Sequence, residues 1–233
     1  ALKLLKKLGW VHWDISISNI LWYNGGSKLA DLEYAKRIDD KMSHDMWAAN
    51  QTRFFMSVEV PAQLYLFLPD EPPNNGCREF LFAHNYLHDL KSLWWVAVWI
   101  VFYNEFWGPQ RSDADTYPDL QDIDRQLAAA ETLFPPSIKD KDRQNGFQTA
   151  FPRICKELPD SQQIICSHLN VLPRNLIKHY KKFEAMLPHS INMPTPKDEG
   201  RDDDEDAIHA TFEQIFTSSQ RLEFILAFIP DVL

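Results

Sequence analysis

Apolar and polar positions follow two rhythms along this chain. Residues 20–31, "ILWYNGGSKLAD", set short apolar stretches on either side of Asn24-Gly25-Gly26-Ser27. That is turn chemistry permitting positive φ in a tight hairpin, and it predicts two short strands. Beyond Pro61 apolar residues recur at helical spacing over roughly 86–106, 120–134, 160–187 and 207–229, so the second half is predicted to be helical. The opening "ALKLLKKLGW" reads as the end of a helix stopped by Gly9.

The longest apolar run, "LWWVAVWIVFY" from Leu93 to Tyr103, has eleven residues and follows Asp89 and Lys91. It is too short to cross a bilayer and is predicted to be a buried core helix, with Trp94, Trp95 and Trp99 as packing residues. Within 160–187, Pro173 is expected to break or kink the helix. After it, Leu176, Ile177, Tyr180, Phe183 and Leu187 share one face, and Lys178, Lys181 and Lys182 take the other. Residues 188–206 collect prolines and an acidic run and are read as a linker. Residues 207–233 carry Ile208, Phe212, Ile215, Phe216, Leu222, Ile225 and Ile229 on one stripe. Such an amphipathic helix must dock on this domain or on a partner. The expected organisation is one domain over 1–187, the linker over 188–206 and the C-terminal helix over 207–233.

Composition narrows the classes. The chain has 233 residues, 45% of them hydrophobic, enough for one domain with a substantial core. Of its net charge of -9, the stretch Asp198–Asp206 supplies -6 through seven acids and one arginine. The remainder is near neutral, and no basic stripe points to nucleic acid, nor any segment to a membrane. The cysteines, Cys77, Cys155 and Cys166, are odd in number and lack a C-x-x-C pattern, so neither a disulfide framework nor a zinc site is indicated. With no targeting signal visible, the expected location is intracellular, cytoplasmic or nuclear. His84 and His88 stand four apart, as zinc ligands can, but no third ligand accompanies them.

Candidate chemistry begins at His12, in "HWDISISN", where a histidine stands two residues before Asp14 and Asn19 stands five after it. The predicted hairpin follows, and then "ADLE" brings Asp31. Phosphoryl transfer from ATP uses such a set: one carboxylate orients the attacking hydroxyl, while a carboxamide and a second carboxylate hold Mg²⁺. The segment resembles the catalytic loop and metal-binding aspartate of the protein-kinase superfamily, H-R-D-x-x-x-x-N followed by D-F-G. Trp13 stands where arginine is usual, Ser16 where many have lysine, and Leu32-Glu33 where Phe-Gly is expected. The "QTRFFMSVEV" from Gln51 is similar to the end of a kinase activation segment, and the "HDLKSLWWVAVWI" from His88 to the central helix of the large lobe. Together these stretches resemble the fungal-type protein kinase domain family over roughly residues 1–110.

The resemblance implies a protein-kinase-like large lobe, mainly α-helical with a short β-ribbon. It implies that Asp14 orients the substrate hydroxyl and accepts its proton, that Asn19 and Asp31 ligate Mg²⁺ for ATP, and that His12 braces the loop. It further implies that Thr52 steadies Asp14, that Asp89 holds the loop backbone, and that Glu59 anchors the activation segment through an arginine. Trp13 removes the arginine that commonly reads a phosphorylated activation loop, so little dependence on a phosphate at Ser43 or Thr52 is expected. These residues contain no G-x-G-x-x-G loop and only eleven residues precede His12, so the small lobe with its phosphate-clamping lysine is expected to be missing. The isolated chain is then expected to be weak or inactive, acting on a protein substrate at Ser or Thr and relying on a lobe-supplying or scaffold protein. The alternatives are a pseudokinase serving as a binding module and a small-molecule kinase of the aminoglycoside or choline type.

Overall fold

The computed structural model describes residues 1–24, 26–38, 54–69, 82–103, 120–135, 140–158 and 160–187. Thr52, Ser43, Cys77, the 188–206 linker and the 207–233 helix lie outside them. The described residues are mainly helical, with two small two-stranded sheets.

Helix α1 (Leu2–Lys7) ends at Gly9, whose φ of +75° is the left-handed turn that a residue without Cβ takes most readily. Strand β1 (Trp10–Val11) pairs antiparallel with β4 (Lys36–Arg37), Trp10 opposite Arg37. Between them lies the predicted hairpin, β2 (Ile20–Tyr23) and β3 (Gly26–Leu29), in register from Ile20–Leu29 to Tyr23–Gly26. Asn24 turns it with φ +50°, which asparagine tolerates. The ribbon and the hairpin thus bracket two irregular segments, the loop 12–19 and the turn 30–34.

Two compact units divide the described residues, 1–96 with 174–187, and 97–173. In the first, short helix α2 (Glu59–Ala62) precedes α3 (Tyr86–Tyr103), which contributes residues through Val96. Tyr86, Leu87, Leu90, Trp94, Trp95 and Val96 are all buried, as expected of a helix apolar on every side. The start of α3 is a reciprocal cap. The Asn85 Oδ1 accepts the Leu87 N–H at 2.9 Å, and the Asn85 N–H donates to His88 Nδ1 at 2.9 Å. The His84/His88 spacing therefore reflects, at His88, the start of a helix. Burial, reinforced by nearby His84 and Lys91, holds the His88 imidazolium well below the usual histidine range.

In the second unit, α4 (Leu120–Leu133) and α7 (Asp160–Leu169) are joined through glutamines. Gln162 Nε2 donates to Gln126 Oε1 at 3.2 Å, and Gln126 Nε2 to the Phe102 carbonyl at 2.9 Å. Residues 140–157, not anticipated as helical, form α5 (Asp140–Asn145), a π-type stretch over Gly146–Ala150, α6 (Phe151–Ile154) and a 3₁₀ turn. Cys155 and Cys166 are buried free thiols.

The break expected at Pro173 falls earlier. Helix α8 (Val171–Met186) starts after Asn170 and takes Pro173 into its first turn, where the missing N–H has no ladder partner to lose. Its stretch from Arg174 belongs to the first unit. Leu176, Tyr180 and Leu187 are buried there and Lys178, Lys181 and Lys182 exposed, as the pattern predicted, but Glu184 is buried as well. No described helix is long and apolar enough to cross a membrane.

Candidate active site

The loop from His12 to Asn19 closes on itself through short, local hydrogen bonds. The Asn19 Nδ2 donates to the Asp14 carbonyl and to Asp14 Oδ2, each at 2.9 Å. One carboxamide thus fixes both the main chain and the side chain of the candidate base. His12 sits at the root of the loop, fully buried. Its Nε2 lies 3.0 Å from the Ala30 carbonyl, which can only accept, and its Nδ1 receives the Asp14 N–H at 3.4 Å. The partners therefore select the tautomer protonated on Nε2.

Asp14 Oδ1 is shielded and has no partner among the described residues. A shielded carboxylate oxygen without a hydrogen-bond donor carries a desolvation cost.

Beneath the loop, Asp89 on α3 is 1% exposed and grips the backbone with both oxygens. The His12 N–H donates to Oδ2 at 2.7 Å and the Trp13 N–H to Oδ1 at 3.1 Å. Those bonds hold Trp13 at φ +71°, a conformation costing a bulky residue on the order of 1–3 kcal/mol that persists only where surroundings impose it. The indole also stacks on His84, ring centroids 5.0 Å apart, and receives the Lys36 ammonium at 4.4 Å. The position where arginine is usual is therefore a packed aromatic.

Asp31 is held differently. Both main-chain polar groups of Ala30 are engaged, its N–H by the Asn19 carbonyl at 2.8 Å and its carbonyl by His12, so the backbone leading into Asp31 is fixed. Asp31 itself takes φ +58° and ψ +70° and is exposed, and its carboxylate bonds to no described residue. Among the described residues no group of three or more His, Cys, Asp or Glu is gathered to hold a metal. Magnesium does not need one, since it keeps waters and phosphate oxygens and takes one or two protein oxygens. The Asp31 carboxylate fits that requirement. So does the Asn19 Oδ1, to which no described residue donates while the amide nitrogen is committed to Asp14.

Glu59 is completely buried, and its partner is Lys91 on α3, not an arginine. The ammonium lies 2.9 Å from Oε1 and 3.0 Å from Oε2, and Ser57 Oγ donates to Oε2. Lysine serves because helix α3 passes directly beside Glu59, within reach of a straight side chain. The Tyr180 ring stands 5.9 Å from the same ammonium, its phenol pushed well up by burial and by Glu59. Beside this pair Glu184 accepts the Phe67 N–H at 2.6 Å. Burial pushes Glu184 up to about 7 against the lowering effect of that N–H, with Glu59 adding to the rise. Sequence reasoning missed Lys91 and Glu184; the only trace was a charge at each position inside an otherwise apolar helical face.

No curated protein and no solved structure matches the chain. A family model does. It is that of the fungal protein kinase, and it matches residues 1–101, the stretch that carries Asp14, Asn19, Asp31, Glu59, Asp89 and Lys91.

Proposed function

We propose that residues 1–101 are the large-lobe part of a protein kinase that transfers the γ-phosphoryl group of ATP to a serine or threonine hydroxyl of a protein. The observation that carries this reading is the Asn19–Asp14 pairing on a loop whose backbone is held by Asp89. Such positioning, fixed before substrate arrives, is most of what phosphoryl transfer asks of a protein.

In this scheme the Asp14 carboxylate orients the acceptor hydroxyl and receives its proton as the new P–O bond forms and the bond to the bridging β-phosphate oxygen breaks, releasing ADP. Asn19 Oδ1 and Asp31 would hold Mg²⁺, which neutralises charge on the phosphates when bound. His12 keeps Ala30 and the loop root together. Thr52 would steady Asp14. Glu59 and Lys91 fix the end of the segment that follows. The 233 residues contain no glycine-loop pattern over the phosphates, so nucleotide binding by these residues alone is weak and turnover slow.

Calorimetric titration of the chain with ATP tests this. Heat that requires Mg²⁺, vanishes in Asp31→Ala and persists in Asp14→Asn is expected, with phosphate transfer to a serine peptide lost in Asp14→Asn. Absence of heat with wild-type protein overturns the reading in favour of a kinase-derived binding module. Phosphorylation of an amino alcohol or aminoglycoside but of no peptide overturns the substrate class.

A further inference from the structure

His84 is nearly buried and sits one residue before the cap of α3, outside the set that the kinase motifs name. Its Nε2 lies 2.9 Å from Asp89 Oδ1, the same oxygen that receives the Trp13 N–H. Its ring stacks on Trp13 with planes 19° apart. One side chain therefore touches both members of the bond that holds the loop. The edge of the ring orients the accepting carboxylate, and its face packs on the residue whose N–H is donated. A carboxylate with two oxygens and free rotation about its terminal torsion would otherwise accept the two loop amides in more than one way. Nδ1 finds no partner among the described residues, so the bond to Asp89 is the one polar interaction the imidazole makes there.

We infer that His84 is a positioning residue for the loop bearing Asp14: it locks the Asp89 carboxylate in the orientation that receives the His12 and Trp13 amides, and it holds Trp13 in its left-handed conformation. Its consequence for catalysis rests on the proposed role of Asp14; the clamp itself does not.

Hydrogen exchange on the full 233-residue chain, without nucleotide, measures the clamp apart from the chemistry. In His84→Asn, whose amide reaches only the Nδ1 position, exchange at the Trp13 and His12 amides is expected to accelerate about tenfold or more, with the Ala30 amide unchanged. His84→Gln, which places an N–H where Nε2 was, is expected to stay within about threefold of wild type. Equal exchange in His84→Asn and His84→Gln overturns the inference, as does wild-type exchange in both. A merely structural histidine would loosen Ala30 and the α8 amides alike, and that result also overturns it. Where wild-type protein transfers phosphate, His84→Asn lowers kcat with the KM for ATP unchanged. Where it transfers none, the functional reading fails and the exchange pattern still decides the clamp.

Discussion

The loop 12–19 and the turn around Asp31 carry the two halves of the candidate site, and they are built on opposite terms. In the loop the side chains that set its shape are tied to one another or to the fold: Asp14 to Asn19, His12 to Ala30, and two backbone amides to Asp89. At Asp31 the main chain is fixed up to the preceding residue, and the side chain stands exposed with no described partner. The difference separates preorganisation from recruitment. On the proposed function, Asp14 and Asn19 are held in place before any ligand arrives, whereas the Asp31 side chain would be ordered by what it binds.

Breaking the buried anchors should therefore cost stability, and breaking the Asp31 side should cost binding alone. The largest effect is expected from Lys91→Ala, which strands the Glu59 carboxylate without exposure. Chemical denaturation should show a loss of about 3–5 kcal/mol. Lys91→Met with Glu59→Gln together should recover most of it, since the dry pair contributes little beyond its own desolvation. Next comes Asp89→Asn, which turns an N–H toward one of the two loop amides and should cost about 1–3 kcal/mol by the same measurement, together with faster proteolysis within 12–19.

Glu184 provides a smaller, pH-dependent contrast. Its folded value of about 7 exceeds the ordinary 4.5, so the folded state keeps a proton that the unfolded state gives up. Its contribution to stability is fully present below about pH 4.5 and is lost as pH rises to about 7. His88, held low, acts the other way, costing stability as pH falls below 6.5. The difference in melting temperature between Glu184→Gln and wild type isolates Glu184: the variant should gain on wild type between pH 4.5 and 7 and keep a constant advantage above. A constant difference across that window would contradict the assignment. The smallest stability effect belongs to Asp31→Ala, expected within about 0.5 kcal/mol of wild type while Mg²⁺-dependent nucleotide binding disappears. A large loss of stability there would erase the distinction between the two halves.

What could be read from the sequence followed the range over which each signal acts. Gly9, Asn24 and the strands beside it are local turn chemistry, and α3 is a continuous apolar run; both stand as predicted. The H-x-D-x-x-x-x-N spacing located Asp14 and Asn19 because their bonds lie within five residues. Lys91 was hidden because its partner is 32 residues away and a charge preceding an apolar run reads as a solvated flank. His88 was obscured by a spacing shared between zinc ligands and a helix cap. Residues 140–157 escaped because Gly146 and Pro152 interrupt the helical period, and the backbone absorbs them in a π-type stretch and a first turn. At Pro173 the sign was right and the place was not, since proline is tolerated at a helix start and the chain broke three residues before it.

The bonds from Asp89 to the loop span 76 and 77 residues of sequence. The hairpin beside them closes over a few residues and can form within microseconds, whereas a contact of that span waits on the closure of a long loop. During synthesis from the N-terminus, His12 and Trp13 leave the ribosome several seconds before Asp89 exists, at chain growth of roughly 5–20 residues per second. For that interval the Asp89 carboxylate that receives the Trp13 amide is not there to hold it. The candidate site is thus completed only once Asp89 has been made, although His12 and Trp13 come 77 and 76 residues before it.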